Sequence, residues 1–170
     1  MERPARALLP EVVAMTEQLP DVMATTERNI SRLIADTNPN FPLTRVNAMR
    51  ALRGPQGAMV EVAGPAGQGA DVVFCTGSHT LRREVKSIAG RAQGSFNREV
   101  AHAAEHIGYC GELLVQVPQG TNALRLVSRF RGSRPDPAQL GKYRSVHLTI
   151  VDPSGTLLFE GPLAPEEERA

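Results

Sequence analysis

Between Asp71 and Ser87 the chain reads DVVFCTGSHTLRREVKS, two β-like runs joined by Gly77-Ser78. A Gly-Ser connection between such runs predicts a hairpin, because glycine supplies the positive φ that a type II′ turn needs. That turn fixes a register: Thr76 opposite His79, Cys75 opposite Thr80, Phe74 opposite Leu81, Val73 opposite Arg82, Val72 opposite Arg83 and Asp71 opposite Glu84. A four-residue loop from Thr76 to His79 leaves the same register. Strand alternation then sorts the side chains. Val72, Phe74, Leu81 and Val85 share a core-like face, and Asp71, Glu84 and Lys86 share the other, with Arg82 and Val73 nearby.

Directly opposed residues have Cβ atoms ~5 Å apart, and like charges there are destabilising. Two facing carboxylates therefore call for a compensating positive charge. Lys86, two residues beyond Glu84 on the same face, is one candidate. A divalent cation is the other, since Mg²⁺ commonly takes one or two carboxylates, waters and phosphate oxygens. Arginine is the default cation of this chain, whose nineteen basic residues include only two lysines. A lysine beside such a site can help deprotonate a nucleophile or stabilise developing charge, a task for which arginine is unsuited. The plainer reading is a cross-strand salt bridge on a solvated face.

The remaining pattern alternates helical and extended segments. Residues 10 to 36 read as helical, broken at Pro20, with Asp21 or Thr25 as a cap and Ile30, Leu33 and Ile34 as an apolar stripe. TNPNFP is a loop, and LTRVNAMRALRG a short helix closed by Gly54. AMVEVAG is a strand and GPAGQG a flexible connection, lacking the Lys and Ser/Thr of a phosphate-binding loop. SFNREVAHAAEHIG is a helix capped by Ser95 and stopped by Gly108, with Val100, Ala103, Ala104 and Ile107 on its apolar side. ELLVQVP is a buried strand, TNALRLVSRFRGS a basic amphipathic helix, and RSVHLTIVD with TLLFEGPL a hairpin across Pro153-Ser154-Gly155. An α/β or α+β domain follows, with a mixed sheet covered by helices. It is expected to span residues 1–170, with 1–20 as an N-terminal extension or helix and 165–170 as a frayed tail.

No apolar run is long enough to span a membrane. MERPARALLPEVVAMTEQLP mixes acidic residues into its apolar pieces, against a secretory signal. Cys75 and Cys110 lack metal spacing and read as half-buried thiols. Residues 79 to 145 carry eleven basic side chains against five acidic ones. That local excess is compatible with a polyanionic partner or with a solvated surface.

Asp71, a dozen residues, then Glu84-Val85-Lys86 on the next strand resembles the PD-(D/E)xK phosphodiesterase superfamily, which includes restriction endonucleases, junction resolvases and bacterial nuclease toxins. The resemblance runs from about residue 21 to Pro118. It implies a restriction-endonuclease-like core of order αβββαβ. It also implies a metal-dependent nuclease in which Asp71 and Glu84 bind Mg²⁺ or Mn²⁺ and Lys86 acts on the attacking water. Ala70 stands where the family often has proline. Many members add an acid from the first helix, for which Glu27 is the first candidate; Glu61 on the first strand is the second. Arg91, Gln93, Asn97 and Arg98, around the start of the following helix, are expected to hold the nucleic-acid backbone, with DNA the first choice of substrate and RNA the second. In size and arginine content the chain is also similar to nuclease modules of bacterial polymorphic toxins. This implies a cognate immunity protein as partner, and action in the cytoplasm or in a target cell's cytoplasm.

Two other classes compete. An inactive relative of the fold would bind nucleic acid or a protein without cutting it. His102-Ala-Ala-Glu-His106 also matches the inverted zinc-peptidase pattern, which sets two histidines on one helical face. Its third ligand would have to come from elsewhere, with Glu160 and Glu166 as arbitrary choices. The plainer reading is a solvated helix face. His79 and His147, on strands, read as structural.

Overall fold

In a computed structural model, which describes residues 19–56, 58–62 and 71–165, the Gly77-Ser78 hairpin is formed in the expected register. Strand β2 (Val72–Thr76) pairs antiparallel with β3 (His79–Ser87), from Thr76 opposite His79 to Val72 opposite Arg83. Gly77 has φ +56 and Ser78 does not share the positive region, as a type II′ turn requires. Upstream lie α1 (Leu19–Asp36), α2 (Arg45–Ala51) and β1 (Met59–Val62). Downstream come α3 (Gln93–His106), β4 (Gly111–Gln116), α4 (Ala123–Gly132), α5 (Pro137–Gly141), β5 (Val146–Val151) and β6 (Leu157–Pro162).

The strands form one open six-stranded sheet in chain order. β1 to β3 are an antiparallel meander, β3, β4 and β5 run parallel, and β6 returns antiparallel to β5. The parallel steps require crossovers, and α3 and α4 supply them. One sheet face packs on these two helices through Phe96, Val100, Ile107, Leu113, Val115, Leu126, Phe130, Leu148 and Ile150. The other packs on α1 and α2 through Ile30, Leu33, Leu43, Ala48, Val72, Phe74, Val85 and Leu114. The chain is thus mixed α and β, a mixed sheet flanked by helices. None of its described helices is long and apolar enough to cross a membrane.

Several element boundaries differ from the sequence reading. Pro20 is the second described residue of α1, so the expected break there falls at the limit of the described residues. Residues 1–18, including the proposed preceding helix, lie outside the described residues, as do the GPAGQG connection and the tail from 166. α2 stops at Ala51, before Gly54, whose absent side chain is needed for another reason: a Cβ there would overlap the Phe74 ring. α3 begins two residues before Ser95, after Ala92, so Ser95 is not its cap. α4 is capped by Asn122, whose side chain accepts the Arg125 N–H. Cys75 is half-buried and Cys110 exposed, both as free thiols.

One buried polar group ties the layers together. Gln116, at the end of β4, is fully buried. Its Oε1 accepts from the Thr44 N–H at 3.0 Å and from Asn47 Nδ2 at 2.7 Å, and its Nε2 donates to the Pro42 carbonyl at 3.1 Å. Its amide therefore anchors the loop before α2, and α2 itself, to the central sheet.

Candidate active site

The hairpin register carries one pair beyond the last ladder partners. Asp71 precedes β2, and its N–H donates to Glu84 Oε1 at 3.2 Å, while its own Oδ2 accepts the Val85 N–H at 2.8 Å. The two acids are thus held by backbone donors as well as by strand pairing. Glu84 is 3 % exposed and Asp71 half-buried. Lys86 follows on the same face, with Nζ 3.8 Å from Glu99 Oε1 of α3.

These groups line a polar cavity of about 440 Å³ beyond the carboxyl end of β3, the end at which sheets with parallel strands commonly bind ligands. Its walls come from three places: Asp36, Thr37 and Asn38 at the end of α1; Asp71 and residues 84–90; and Ser95, Arg98 and Glu99 from the first turns of α3.

Burial sets the electrostatics. It pushes the Glu84 carboxyl up to about 8, helped by the neighbouring Asp71 charge and opposed by Lys86. Burial also raises Asp71, against the Val85 N–H and Lys86, with the Asp36 charge adding to the rise. Removing a charged carboxylate from water is costly, and a second one alongside makes it costlier. The pair therefore favours holding a proton at neutral pH.

The other sequence-based candidates divide. Arg98 lines the cavity at 70 % side-chain exposure. Glu27 is exposed and forms an ion pair with Arg45, outside the cavity walls. The acid that α1 does bring to the cavity is Asp36, nine residues later. That spacing is about two and a half helical turns, so the two acids project from opposite sides of the helix. Sequence alone did not reveal which end of α1 abuts the sheet. Glu61, on exposed β1, also lies outside the cavity walls. So does Arg91, whose guanidinium donates to the Gln119 carbonyl at 2.5 Å. Gln93 donates to Asn97 Oδ1 at 2.8 Å and to the Leu126 carbonyl at 2.9 Å, so this pair staples α3 to α4.

Two partners were missed by the sequence reading although their signal was present. Glu99, His102 and His106 recur at helical spacing and form one stripe of α3. Because α3 runs back along β3, its early residue meets Lys86 and its late one meets Glu84. His106 Nδ1 lies 3.1 Å from Glu84 Oε2, and the His102 and His106 rings are 4.3 Å apart. The H-x-x-E-H histidines thus face the Glu84 side of the site, while Glu160 lies 4.0 Å from His147 and Glu166 is outside the described residues.

The donor set suits a hard cation. Two carboxylates next to a polar cavity match Mg²⁺ or Mn²⁺, which take oxygen ligands and retain waters. Among the described residues, no three His, Cys, Asp or Glu side chains group into a complete metal cage. Compared with known proteins, the chain matches no family model, no curated protein and no solved structure at a significant level.

Proposed function

We propose that the chain is a metal-dependent nuclease of restriction-endonuclease-like fold that hydrolyses phosphodiester bonds, with DNA as the first substrate and RNA as the second. One observation carries this reading. Asp71 and Glu84 face each other across the hairpin, with Lys86 beside them, in a single polar cavity. The order α1, β1, β2, β3, α3, β4 supports it, with the short α2 added after α1.

Asp71 and Glu84 would hold Mg²⁺ or Mn²⁺. A divalent cation there supplies charge neutralisation at the phosphate and acidifies water. Lys86 would orient the attacking water and take its proton or stabilise the charge that develops. The water oxygen forms the new bond to phosphorus, the ester P–O bond breaks, and the leaving alcohol keeps the electron pair and gains a proton. Arg98, at the cavity wall, would hold a phosphate of the backbone. Glu84 must give up its proton to serve as a ligand, so cation binding is coupled to pH.

The test is digestion of plasmid DNA and of total RNA with Mg²⁺, with Mn²⁺ and with EDTA, beside folded Glu84→Ala and Lys86→Ala variants. Cutting that needs the metal and disappears in both variants is expected. Metal-independent, salt-sensitive binding without cutting would instead assign an inactive binding module of the same architecture.

A further inference from the structure

The proposed chemistry leaves His106 without a task, yet this side chain touches the most buried acid of the site. Its Nδ1 is 3.1 Å from Glu84 Oε2, while the Asp71 N–H donates to Oε1 at 3.2 Å. The carboxylate is therefore held at both oxygens, by a helix side chain on one and by the hairpin backbone on the other. Glu84 is almost fully buried, whereas the His106 side chain is 37 % exposed, so the contact joins a buried carboxylate to a half-exposed imidazole. His102 packs against the same ring with centroids 4.3 Å apart and planes tilted by 54°, which limits its swing.

An ionised Glu84 has no hydrogen to donate, so the bond needs a hydrogen on Nδ1 of the imidazole. A carboxylate oxygen has two acceptor directions, and one such hydrogen bond leaves room for a cation on the same group. Carboxylates that ligate metals are commonly held by outer hydrogen-bond partners of this kind, whose loss lowers metal affinity ~10–100-fold.

We propose that His106 is a positioning residue: through Nδ1–H it holds the Glu84 carboxylate in the orientation that receives a divalent cation. This rests on the metal-site reading above. The histidines of the H-x-x-E-H segment then serve a carboxylate ligand and are not themselves ligands.

The experiment is a calorimetric Mn²⁺ titration of the full chain, checked by the electron paramagnetic resonance signal of free Mn²⁺. Wild type is compared with His106→Asn, His106→Gln and His106→Ala, and each variant's melting temperature is measured in EDTA. The asparagine amide can take the place of Nδ1, whereas the glutamine amide reaches the place of Nε2. Wild type and His106→Asn are expected to bind Mn²⁺ within about threefold of each other, and His106→Gln and His106→Ala ~10–100-fold more weakly, at melting temperatures close to wild type. If the alanine variant does not fold, the asparagine–glutamine pair decides. Equal or tighter binding by His106→Gln overturns the positioning role, and so does equal weakening of the asparagine and glutamine variants. No Mn²⁺ binding by wild type overturns the metal site itself, and this inference with it.

Discussion

A carboxyl group buried beside a second carboxyl keeps its proton where an exposed one would not. Unfolded, Glu84 releases its proton near 4.5; folded, it does so near 8. Between those values the folded chain binds the extra proton, so stability falls as pH rises. In EDTA the melting temperature is therefore expected to decline from about pH 5 to pH 8, and Glu84→Gln, which cannot ionise, should flatten the decline. If the proposed metal site holds, Mn²⁺ should reverse it, because the cation would replace the proton. A melting temperature that rises over this range in EDTA would contradict the buried, proton-holding state of the pair. A second prediction concerns Gly111, which has φ +140 and whose added Cβ would lie 2.6 Å from the Arg82 carbonyl oxygen. Gly111→Ala should cost ~1–3 kcal/mol from backbone strain alone, readable by urea denaturation.

Helix α3 performs two jobs on two faces. Val100, Ala103, Ala104 and Ile107 are fully buried against the sheet, while Glu99 and His106 reach the charged groups at the end of β3. Glu99 holds Lys86 at 3.8 Å, so Glu99→Gln should release the ammonium and alter the pH profile of the proposed cleavage without unfolding the protein. Strand β4 carries the other prediction at this scale. Gln116→Leu would remove one of the two acceptors of the Asn47 Nδ2, leaving it the Asp152 carbonyl, and would strip the Thr44 N–H and the Pro42 carbonyl of their Gln116 partner. Leaving a buried polar group unpaired costs ~1–3 kcal/mol, so the variant should unfold at markedly lower urea. A loss near zero would mean that the loop before α2 repacks.

For the whole molecule, the sheet separates two hydrophobic cores and the cavity opens beyond the carboxyl end of β3, where α1, β3 and α3 converge. A polyanion approaching that end meets Arg98 in a carboxylate-rich wall, so attraction depends on the wider arginine surface as well as on the cavity. Binding of nucleic acid in EDTA should weaken steeply with salt. Arg98→Ala should reduce the slope of log affinity against log salt by about one, as expected for a single phosphate contact. An unchanged slope would place the phosphate path elsewhere, for example along the exposed Arg125 and Arg129 of α4.

The sequence determined what depends on local rules. A Gly-Ser turn and strict alternation are enough to put Asp71 opposite Glu84 and Lys86 beside it, because a two-residue turn leaves no freedom in register. The same periodicity identified the buried side of α3 and the strand character of β1 to β6. What it could not supply is which end of one element lies against which end of another. That put Asp36 at the cavity wall and Glu27 outside it, and it set Gln93, bonded to Asn97, against the Leu126 carbonyl of the next helix. It also brought His106 onto Glu84 across the β3–α3 crossover. Helical spacing shows that residues share a face, but long-range packing chooses the neighbour that face meets.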